Sequence, residues 1–248
     1  AKEHSGEIVV KNIGLPSELE RFTGPGDVTL AVKPRRPEAH KGTFGRLLVI
    51  GGSNIFSGAP ALAAMAALRT GVDIVTIAAP ERTATAISSM SPALITIKLR
   101  GKHLDPSNLS VLKEYLESAT AVVLGPGLGL HSETKEATKQ IIEQVEETGT
   151  PLLLDADGLK AFAEFKRKVE LPMVLTPHAR EYEILTGNKL PDDLEGRAEK
   201  VQKRARKLGA TILLKGPVDV ISDGERIKFN FTGNPGMTVG GTGDVLSG

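Results

Sequence analysis

Arg46-Leu47-Leu48-Val49-Ile50-Gly51-Gly52-Ser53 is the stretch that decides the fold class of this chain. Its four consecutive apolar residues are typical of a parallel strand that is buried on both faces. Small, flexible residues end the run, and Gly58-Ala59-Pro60 then opens a helix rich in alanine. A buried strand followed directly by a helix is the unit from which parallel α/β sheets are built.

The alternation of apolar strands and helices continues through most of the chain. We expect strands at 47–50, 73–79, 93–98, 121–124, 152–155, 173–176 and 212–215, and helices at 58–68, 106–116, 132–147, 181–185 and 194–207. Two short strands, 218–222 and 226–231, then flank Asp223-Gly224, a strong hairpin signal. The sequence therefore predicts an α/β fold: a mostly parallel central sheet flanked by helices on both faces, with a late antiparallel hairpin at one edge.

Composition narrows the classes of function. The 248 residues carry a net charge of only +1, which gives no global field for nucleic acid or a membrane surface. Cysteine is absent, which excludes disulfides, thiolate metal sites and a cysteine nucleophile. No apolar run approaches the ~20 residues that span a bilayer, and no signal peptide is visible. We expect a soluble cytoplasmic protein without nucleic-acid or membrane partners.

The first 40 residues differ from the rest. They are polar and contain Gly24-Pro25-Gly26, and we interpret residues 1–40 as a linker or wrapping arm, with a short strand possible at 7–10. The basic cluster of Lys33, Arg35, Arg36 and Lys41 is expected to be solvated. Residue 1 is Ala, and residue 248 falls where a helix should begin, so we expect the domain at 41–248 to be truncated at its C-terminal end.

Small, polar or charged residues follow several predicted strands. In open α/β sheets, ligands bind outside the carboxyl ends of the strands, so these clusters are candidates for one site. Asp155 could bind Mg²⁺ through water, while Asp157 is at least as compatible with capping a helix that begins at Gly158. Lys215 could neutralise phosphate charge or simply be an exposed strand end. His178 also lies at a strand end, whereas His4, His40, His103 and His131 lie in polar surroundings without metal-ligand spacing, and we expect no role for them.

Gly125-Pro126-Gly127-Leu128-Gly129 invites comparison with the dinucleotide-binding fingerprint G-x-G-x-x-G. The spacing fails because position 130 is leucine. Asp155, the candidate ribose-binding acid, lies about 30 residues further on rather than the ~20 of that fingerprint. A dinucleotide-binding fold is therefore a weak alternative, and the phosphate loop G-x-x-x-x-G-K-[ST] is absent.

The chain closes on Gly241-Thr242-Gly243-Asp244, followed by Val245-Leu246 at the expected start of a helix. Glycines allow consecutive backbone N–H groups to converge on one anion, and a helix start reinforces such a site. An aspartate there can act as a general base beside a phosphoryl group in transfer. The alternative is that Asp244 caps the helix.

These clusters, in this order, resemble the ribokinase-like superfamily, whose hallmark is a G-[TA]-G-D loop. Within it the chain is similar to the ADP- or ATP-dependent NAD(P)H-hydrate dehydratases. The residues that carry the resemblance are Lys41–Gly45, Gly51–Ser53, Ser57–Pro60, Gly125–Gly129, Leu154–Leu159, Leu175–His178, Leu214–Gly216 and Gly240–Asp244. Residues 6–16 resemble the closing strand of the epimerase domain that many relatives carry upstream.

The resemblance implies a carbon–oxygen lyase that repairs NADH or NADPH hydrated on the nicotinamide ring. A nucleotide, with ADP favoured over ATP, would phosphorylate the ring hydroxyl, and loss of phosphate would restore the double bond. Asp244 would be the catalytic base, and Gly241, Thr242 and Gly243 would form the anion hole. By similarity, Ala59, Gly127, His178 and Asp244 contact the hydrated cofactor, and Lys215, Gly216, Pro217, Val218, Asp219 and Gly243 hold the nucleotide. A homotetramer is expected by the same analogy.

Two other functions stay open at this point. A small-molecule kinase of the same superfamily would share Asp244 and the anion hole but release a phosphorylated product. A non-catalytic nucleotide-binding domain would keep the fold without depending on Asp244.

Overall fold

The computed structural model describes residues 6, 7, 9, 11, 13, 14, 16–32, 34–165 and 167–248. His4, Lys33 and two residues of the strand expected at 7–10 lie outside this set. Within it, one sheet holds nine strands in the order β3-β2-β1-β4-β5-β6-β7-β8-β9. The first seven strands run parallel, and the last two are antiparallel. The predicted fold class is confirmed.

The strands occupy the predicted segments, with ends shifted by one or two residues. Their bounds are β1 Arg46–Ile50, β2 Ile74–Pro80, β3 Ile95–Leu99, β4 Ala121–Leu124, β5 Leu152–Leu154, β6 Met173–Leu175, β7 Thr211–Leu214, β8 Asp219–Ser222 and β9 Ile227–Asn230. At the predicted hairpin, the Asp223 carboxylate accepts the N–H groups of Glu225 (2.9 Å) and Arg226 (2.7 Å). These bonds close the turn between β8 and β9.

The α-helices are α1 Pro25–Ala31, α2 Gly58–Thr70, α3 Glu81–Ser88, α4 Leu109–Ser118, α5 Ser132–Thr148, α6 Ala156–Phe165, α7 Ala179–Thr186, α8 Leu194–Leu208 and α9 Thr242–Ser247. Short 3₁₀ turns occur at Ser17–Arg21, Pro106–Asn108 and Pro235–Met237. No helix in the described part of the chain is long and apolar enough to cross a bilayer.

Two helices were not expected from the sequence. The Gly-Pro-Gly segment was interpreted as linker, but Pro25 is the first residue of α1, a position where its missing N–H costs nothing. Helix α3 is formed by residues of modest helix propensity. It is held because Thr83, Ala84 and Ile87 are buried on one side of the helix.

The two faces of the sheet are covered unequally. Helices α4 to α8 pack on one face over the larger hydrophobic core, and α2 and α3 pack on the other face over β1 and β2. Helix α9 packs against α2. The second face is covered less completely over β5, β6 and β7. The central residues of these strands are only half-buried: Leu153, Val174 and Leu213.

β1 and β4 are neighbours although the connections leave them in opposite directions along the sheet, and such a point is where open α/β sheets form a ligand-binding crevice. There the Gly52 N–H donates to the Pro126 carbonyl over 2.8 Å. A Cβ on Gly51 would lie 2.4 Å from the same carbonyl oxygen, so a side chain cannot be accommodated. The small residues after these two strands thus allow their loops to meet.

The segment around Phe22 lies along the far edge of the sheet. Phe22 forms a parallel bridge with Phe229 of β9, and the Thr23 N–H donates to the Phe229 carbonyl over 2.9 Å. Lys228 pairs with Asp27 of α1 at 2.6 Å. The described residues between 16 and 32 therefore contact the domain directly, and the domain boundary near residue 40 stays a prediction.

Candidate active site

A buried ion pair joins the carboxyl ends of β5 and β7. The Lys215 ammonium donates to Asp155 Oδ1 over 3.0 Å, and the Asp155 side chain is almost fully buried. Between these strands, the Lys215 N–H donates to the carbonyl of Pro177 at the end of β6 over 2.8 Å. The carboxyl ends of three neighbouring parallel strands therefore meet at one place, as predicted.

Asp155 also anchors the C-terminal end of α9, the helix that carries Asp244. The hydroxyl of buried Ser247 donates to Asp155 Oδ2 over 2.6 Å. A Cβ on Gly243 would lie 3.3 Å from the Lys215 ammonium nitrogen, so the glycine backbone approaches that charge closely. Ser247 was not singled out from the sequence, and a lone serine in a short helix carries no signal of this role.

Asp244 is the free carboxylate of the site. It is half-buried, and no described residue donates a hydrogen bond to it or forms an ion pair with it. Burial raises the pKa of Asp244, the nearby Asp155 carboxylate raises this pKa further, and the Lys215 ammonium partly offsets both. The result is a carboxylate that accepts a proton more readily than an ordinary aspartate. The capping alternative is not supported, because the helix begins at Thr242 and its N-cap is Gly241.

The loop before α9 is held by its own side chains. The Asn234 amide oxygen accepts the Gly236 N–H over 2.8 Å, and the Thr242 hydroxyl donates to the carbonyls of Met237 (2.9 Å) and Val239 (3.1 Å). Gly241 has φ 93°, and a Cβ there would lie 2.7 Å from Leu62 Cδ1 of α2. The Thr242 N–H donates to the Val239 carbonyl over a long 3.5 Å, whereas the N–H groups of Gly241 and Gly243 donate to no described residue. This geometry suits the anion site expected at residues 241–243.

Ala59 and Gly127 lie where the segments that follow β1 and β4 meet. A Cβ on Gly127 would lie 3.4 Å from the Ala59 Cβ and 2.8 Å from the Phe56 Cβ, so these two loops touch. Phe56 is 50% exposed beside them and was not singled out from the sequence. The neighbouring Ile55 is 81% exposed, and two large apolar residues in a polar, glycine-rich strand-end loop are the signal that could have found Phe56.

His178 immediately precedes α7. Its Nδ1 accepts the Glu181 N–H over 3.3 Å, and Glu181 returns a bond by accepting the His178 N–H over 3.0 Å. The Glu181 side chain is 6% exposed, and one of its oxygens lies 3.9 Å from the Lys215 ammonium. The exposed His178 ring thus sits beside the ion pair, and Glu181 is a second buried carboxylate that was not singled out from the sequence.

Residues 215–219, between β7 and β8, form a partly exposed surface that is called the shelf below. The Asp219 carboxylate accepts the Gly216 N–H (3.0 Å) and the Asn230 side-chain amide (3.0 Å), which fixes the turn from β7 to β8. Gly216 and Pro217 are exposed, and Gly233 approaches them: a Cβ on Gly233 would lie 3.0 Å from the Pro217 carbonyl oxygen. Residues 215–219 therefore lie together, continuous with Lys215.

The carboxylates at the site fit a magnesium ion held through water. Asp155 accepts one hydrogen bond from Lys215 and one from Ser247, so each of its oxygens can still accept another. Asp244 has no partner among the described residues. Magnesium in nucleotide sites keeps several waters and takes one or two carboxylates plus phosphate oxygens. No cluster of three metal-ligating side chains occurs here among the described residues.

Asp157 does not cap α6, because this helix begins at Ala156 and places Asp157 in its first turn. Its carboxylate accepts the Gly129 N–H over 2.9 Å and pairs with Lys160 at 2.8 Å. Asp157 thus ties the glycine-rich loop to α6. The sequence pattern missed this because Gly129 and Asp157 are far apart in the chain.

His103 and His131 also differ from the expectation of isolated polar residues. Their rings stack with centroids 4.0 Å apart, and His103 Nε2 lies 2.8 Å from the Glu133 carboxylate. Local spacing could not show this contact, because the fold brings together two loops that follow different strands.

The strand order of the parallel sheet agrees with the doubly wound order of dinucleotide-binding domains through its first six strands. The glycine run, however, follows β4 rather than β1. The Asp155 carboxylate, the proposed ribose ligand of that alternative, is engaged by Lys215 and Ser247. Sheet order alone does not separate the two folds, whereas the side chains disfavour a dinucleotide fingerprint.

A family model described as NAD(P)H-hydrate dehydratase matches residues 47–248, nearly the whole parallel sheet and the complete site. The chain belongs to this family. Similar solved structures include a ribokinase-like superfamily protein of Enterococcus faecalis, 27% identical, with a TM-score of 0.76 over 87% of this chain and 73% of that one, which confirms the expected fold.

Individual relatives agree with the family assignment. The chain is 46% identical to the bifunctional NAD(P)H-hydrate repair enzyme Nnr of Hyperthermus butylicus over 98% of its length, but it spans 46% of that protein. It is 41% identical to the ADP-dependent (S)-NAD(P)H-hydrate dehydratase of Cenarchaeum symbiosum, covering 92% of this chain and 79% of the relative. The chain thus spans about half the length of the bifunctional relatives it matches.

Among solved structures, the ADP/ATP-dependent NAD(P)H-hydrate dehydratase of Bacillus subtilis, co-crystallised with ATP and Mg²⁺, superimposes with a TM-score of 0.75. It is 28% identical in sequence, and the match covers 95% of this family member and 79% of the Bacillus chain. The fold is therefore shared over almost the entire sequence.

Proposed function

We propose that this domain removes water from hydrated NADH or NADPH at the expense of ADP or ATP. The observation that carries the proposal is Asp244: a half-buried carboxylate with a raised pKa and no partner among the described residues, at a glycine-rich helix start beside the Lys215 ammonium. A general base must be both unpaired and basic enough to take a proton, and Asp244 meets both requirements. The names of the relatives support the choice of substrate.

The two substrates approach Asp244 from opposite sides. The hydrated nicotinamide ring lies in the crevice bordered by Ala59, Gly127 and His178. The nucleotide lies along the shelf of Lys215, Gly216, Pro217, Val218 and Asp219, with its terminal phosphate at Gly243. This arrangement is supported by the contact between the Ala59 and Gly127 loops and by the approach of Gly243 to Lys215.

The chemistry balances in two steps. In the first, Asp244 takes the proton of the ring hydroxyl as its oxygen attacks the terminal phosphorus, and the nucleotide leaves one phosphate shorter. In the second, the carbon–oxygen bond breaks and phosphate departs with both bonding electrons. The neighbouring carbon gives a proton to this departing phosphate, and the electrons of its carbon–hydrogen bond restore the ring double bond. The phosphoryl transfer is needed because hydroxide is a poor leaving group.

The protein stabilises charge during the first step. The N–H groups of Gly241, Thr242 and Gly243 and the Lys215 ammonium face the phosphoryl oxygens, where negative charge develops. Asp155 would hold a magnesium ion through water, and the ion would supply further neutralisation of phosphate charge. Asp155 acts mainly as a positioning residue, since it orients Lys215 and, through Ser247, α9.

The test is recovery of NADH absorbance from hydrated NADH on addition of ADP or of ATP. We expect Asp244→Asn to lower kcat about 10²–10⁴-fold, the usual contribution of a general base, while nucleotide affinity changes little. Asp192→Asn is the matched control, because Asp192 is exposed and forms no hydrogen bond or ion pair with any described residue. No recovery with either nucleotide would contradict the proposal.

The same assay separates the alternatives. A small-molecule kinase would convert ADP or ATP only with another alcohol present and would accumulate a phosphorylated product. A non-catalytic nucleotide-binding domain would bind ADP equally well with Asp244 or Asn at this position and show no turnover. The homotetramer and the cytoplasmic location stay predictions.

A further inference from the structure

Three side chains outside the site described above converge on one point. His103 follows β3, His131 immediately precedes α5, and Glu133 lies in the first turn of α5. One ligand atom from each lies within 4.8 Å of the other two, a grouping of metal-ligating type. Neither histidine was given a role on the basis of the sequence.

The distances fit a small metal ion with nitrogen and oxygen ligands. His103 Nε2 lies 2.8 Å and His131 Nδ1 lies 3.5 Å from the same oxygen of Glu133. Ligand atoms about 2.0–2.1 Å from a tetrahedral zinc ion lie roughly 3.3 Å from one another. The observed spacings bracket this value. The two imidazole rings now stack with an interplanar angle of 25°, so at least one ring must turn out of the stack for both nitrogen lone pairs to point at one ion.

The surroundings favour a transition metal over calcium or magnesium. Imidazole nitrogens suit Zn²⁺, Cu²⁺ and Ni²⁺, whereas calcium and magnesium take oxygen ligands. The His131 and Glu133 side chains are 54% and 59% exposed, which leaves the fourth position to water. The nearby helix start disfavours a cation, and the Glu133 carboxylate is the group that offsets this effect.

We propose that His103, His131 and Glu133 form a zinc-binding site of the two-histidine, one-carboxylate type, with water as the fourth ligand. The site joins the loop after β3 to the loop that carries Gly125–Gly129. The same two regions are already linked, since the Thr134 hydroxyl of α5 donates to the Leu104 carbonyl over 2.8 Å. Zinc would therefore restrain the glycine-rich loop from its distal end.

The structure points to a stabilising role for the ion. Both histidine-bearing loops flank the crevice, because the Lys102 carbonyl also accepts the Asn54 N–H (3.0 Å) from the loop after β1. A ligand that binds the folded chain raises its melting temperature in proportion to the logarithm of its concentration. At a free zinc concentration 100 times the dissociation constant, we expect an increase of about 5–10 °C for a chain of this size.

The experiment is a titration of the tag-free chain with Zn²⁺ alone, in a buffer that does not chelate metals. We expect one zinc ion per chain and at least tenfold weaker binding by His103→Ala, His131→Ala and Glu133→Gln. His40→Ala is the control, since His40 is an exposed histidine outside the cluster, and its zinc affinity should be unchanged. Circular dichroism establishes that each variant is folded.

Anomalous scattering at the zinc edge, from crystals of the same zinc-bound chain, gives the position of the ion. A peak between His103 and His131 would support the site. A peak elsewhere, or equal zinc affinity for the unmodified chain and for both histidine variants, would overturn it. Because nucleotide and hydrated cofactor are absent from these measurements, the outcome does not depend on the proposed dehydratase activity.

Discussion

Two aspartates at the site have opposite environments, and this difference supports the roles proposed for them. Asp155 is 2% exposed and hydrogen-bonded through both oxygens, whereas Asp244 is half-buried and unpaired among the described residues. A fully engaged carboxylate positions its neighbours, and a free one in a partly dry site can exchange a proton. Sequence alone treated both as candidates, because each follows an apolar or glycine-rich segment.

Asp244 should make stability depend on pH. The pKa of Asp244 is raised in the folded state, so the free energy of unfolding is lower when Asp244 is ionised than when it is protonated. Asp244→Asn should therefore melt roughly 1–2 °C higher than the unmodified chain at pH 7, a modest effect because the group is partly solvated. The difference should shrink as pH falls through the raised folded pKa toward the ordinary aspartate value.

Thermal melts of both proteins at several pH values measure this effect. Asp192→Asn, an exposed substitution, should show no such pH-dependent difference. A lower melting temperature for Asp244→Asn at neutral pH would contradict the inference that the ionised Asp244 carboxylate destabilises the folded state.

Replacing only one partner of the Lys215–Asp155 pair should lower the free energy of unfolding. Lys215→Met leaves Asp155 with a single side-chain hydrogen bond, from Ser247, and no counter-charge. We expect a loss of about 3 kcal/mol in the free energy of unfolding, the lower end of the range for buried pairs, because the Lys215 side chain is 21% exposed. Urea denaturation measures it.

The double variant Lys215→Met/Asp155→Asn is the control for buried charge. It removes the uncompensated carboxylate, so it should recover much of the stability lost by Lys215→Met. Equal stability of the single and double variants would show that the ion pair is not what holds these strand ends.

At the scale of elements, the glycine-rich loop after β4 packs directly against the start of α6. Gly125 has φ +135°, and a Cβ there would lie 1.9 Å from the Asp155 carbonyl oxygen. Gly158 of α6 is equally restricted, since its Cβ would lie 2.5 Å from the Leu124 carbonyl oxygen. The loop and α6 can thus be in contact only if both residues lack side chains.

Gly125→Ala should therefore lose on the order of 3 kcal/mol or more, since backbone strain and a clash with fixed backbone combine. Gly129→Ala is a matched control: it also has positive φ, at +78°, but a Cβ at this position would have no neighbouring atom within 4 Å. We expect about 1 kcal/mol for that change. Denaturant unfolding of the two variants side by side would refute the packing argument if their losses were equal.

At the scale of the whole molecule, the segment before the domain contributes to the far edge of the sheet. Phe22 packs against Phe229 and Phe231, with ring centroids 6.4 and 5.6 Å apart, and its neighbour Thr23 is hydrogen-bonded to β9. This contact covers an edge strand that would otherwise present unpaired backbone groups.

Phe22→Ala should lower the free energy of unfolding by about 1–2 kcal/mol, since a half-buried ring and its aromatic contacts are lost. The amide proton of Thr23 should exchange faster with solvent in this variant. Leu30→Ala is the control, because Leu30 is 79% exposed and should change stability by less than about 0.5 kcal/mol. Unchanged exchange at Thr23 would mean that Phe22 does not hold the segment in place.

Most of the sheet could be predicted from the sequence because buried parallel strands are continuous apolar runs, and the glycines and polar residues that end them are equally local signals. Helices α1 and α3 could not be found this way. Helix α3 is short and weakly apolar, and its helical state depends on the sheet that buries Ile87. Helix α1 is also short and buries no residue, and its Asp27 is held by Lys228 from the other end of the chain.

The sequence by itself determined the strand segments and their alternation with helices, and it singled out Asp244 and Lys215 as candidate site residues. Only the tertiary structure decided that Lys215 neutralises Asp155, that Ser247 fixes α9, and that His103 meets His131. The physical reason is that the patterns that predict strands and turns depend on residues adjacent in the chain. Ion pairs, pKa shifts and metal-ligand clusters depend instead on distances between residues that are far apart in the chain, and those distances exist only once the sheet has formed.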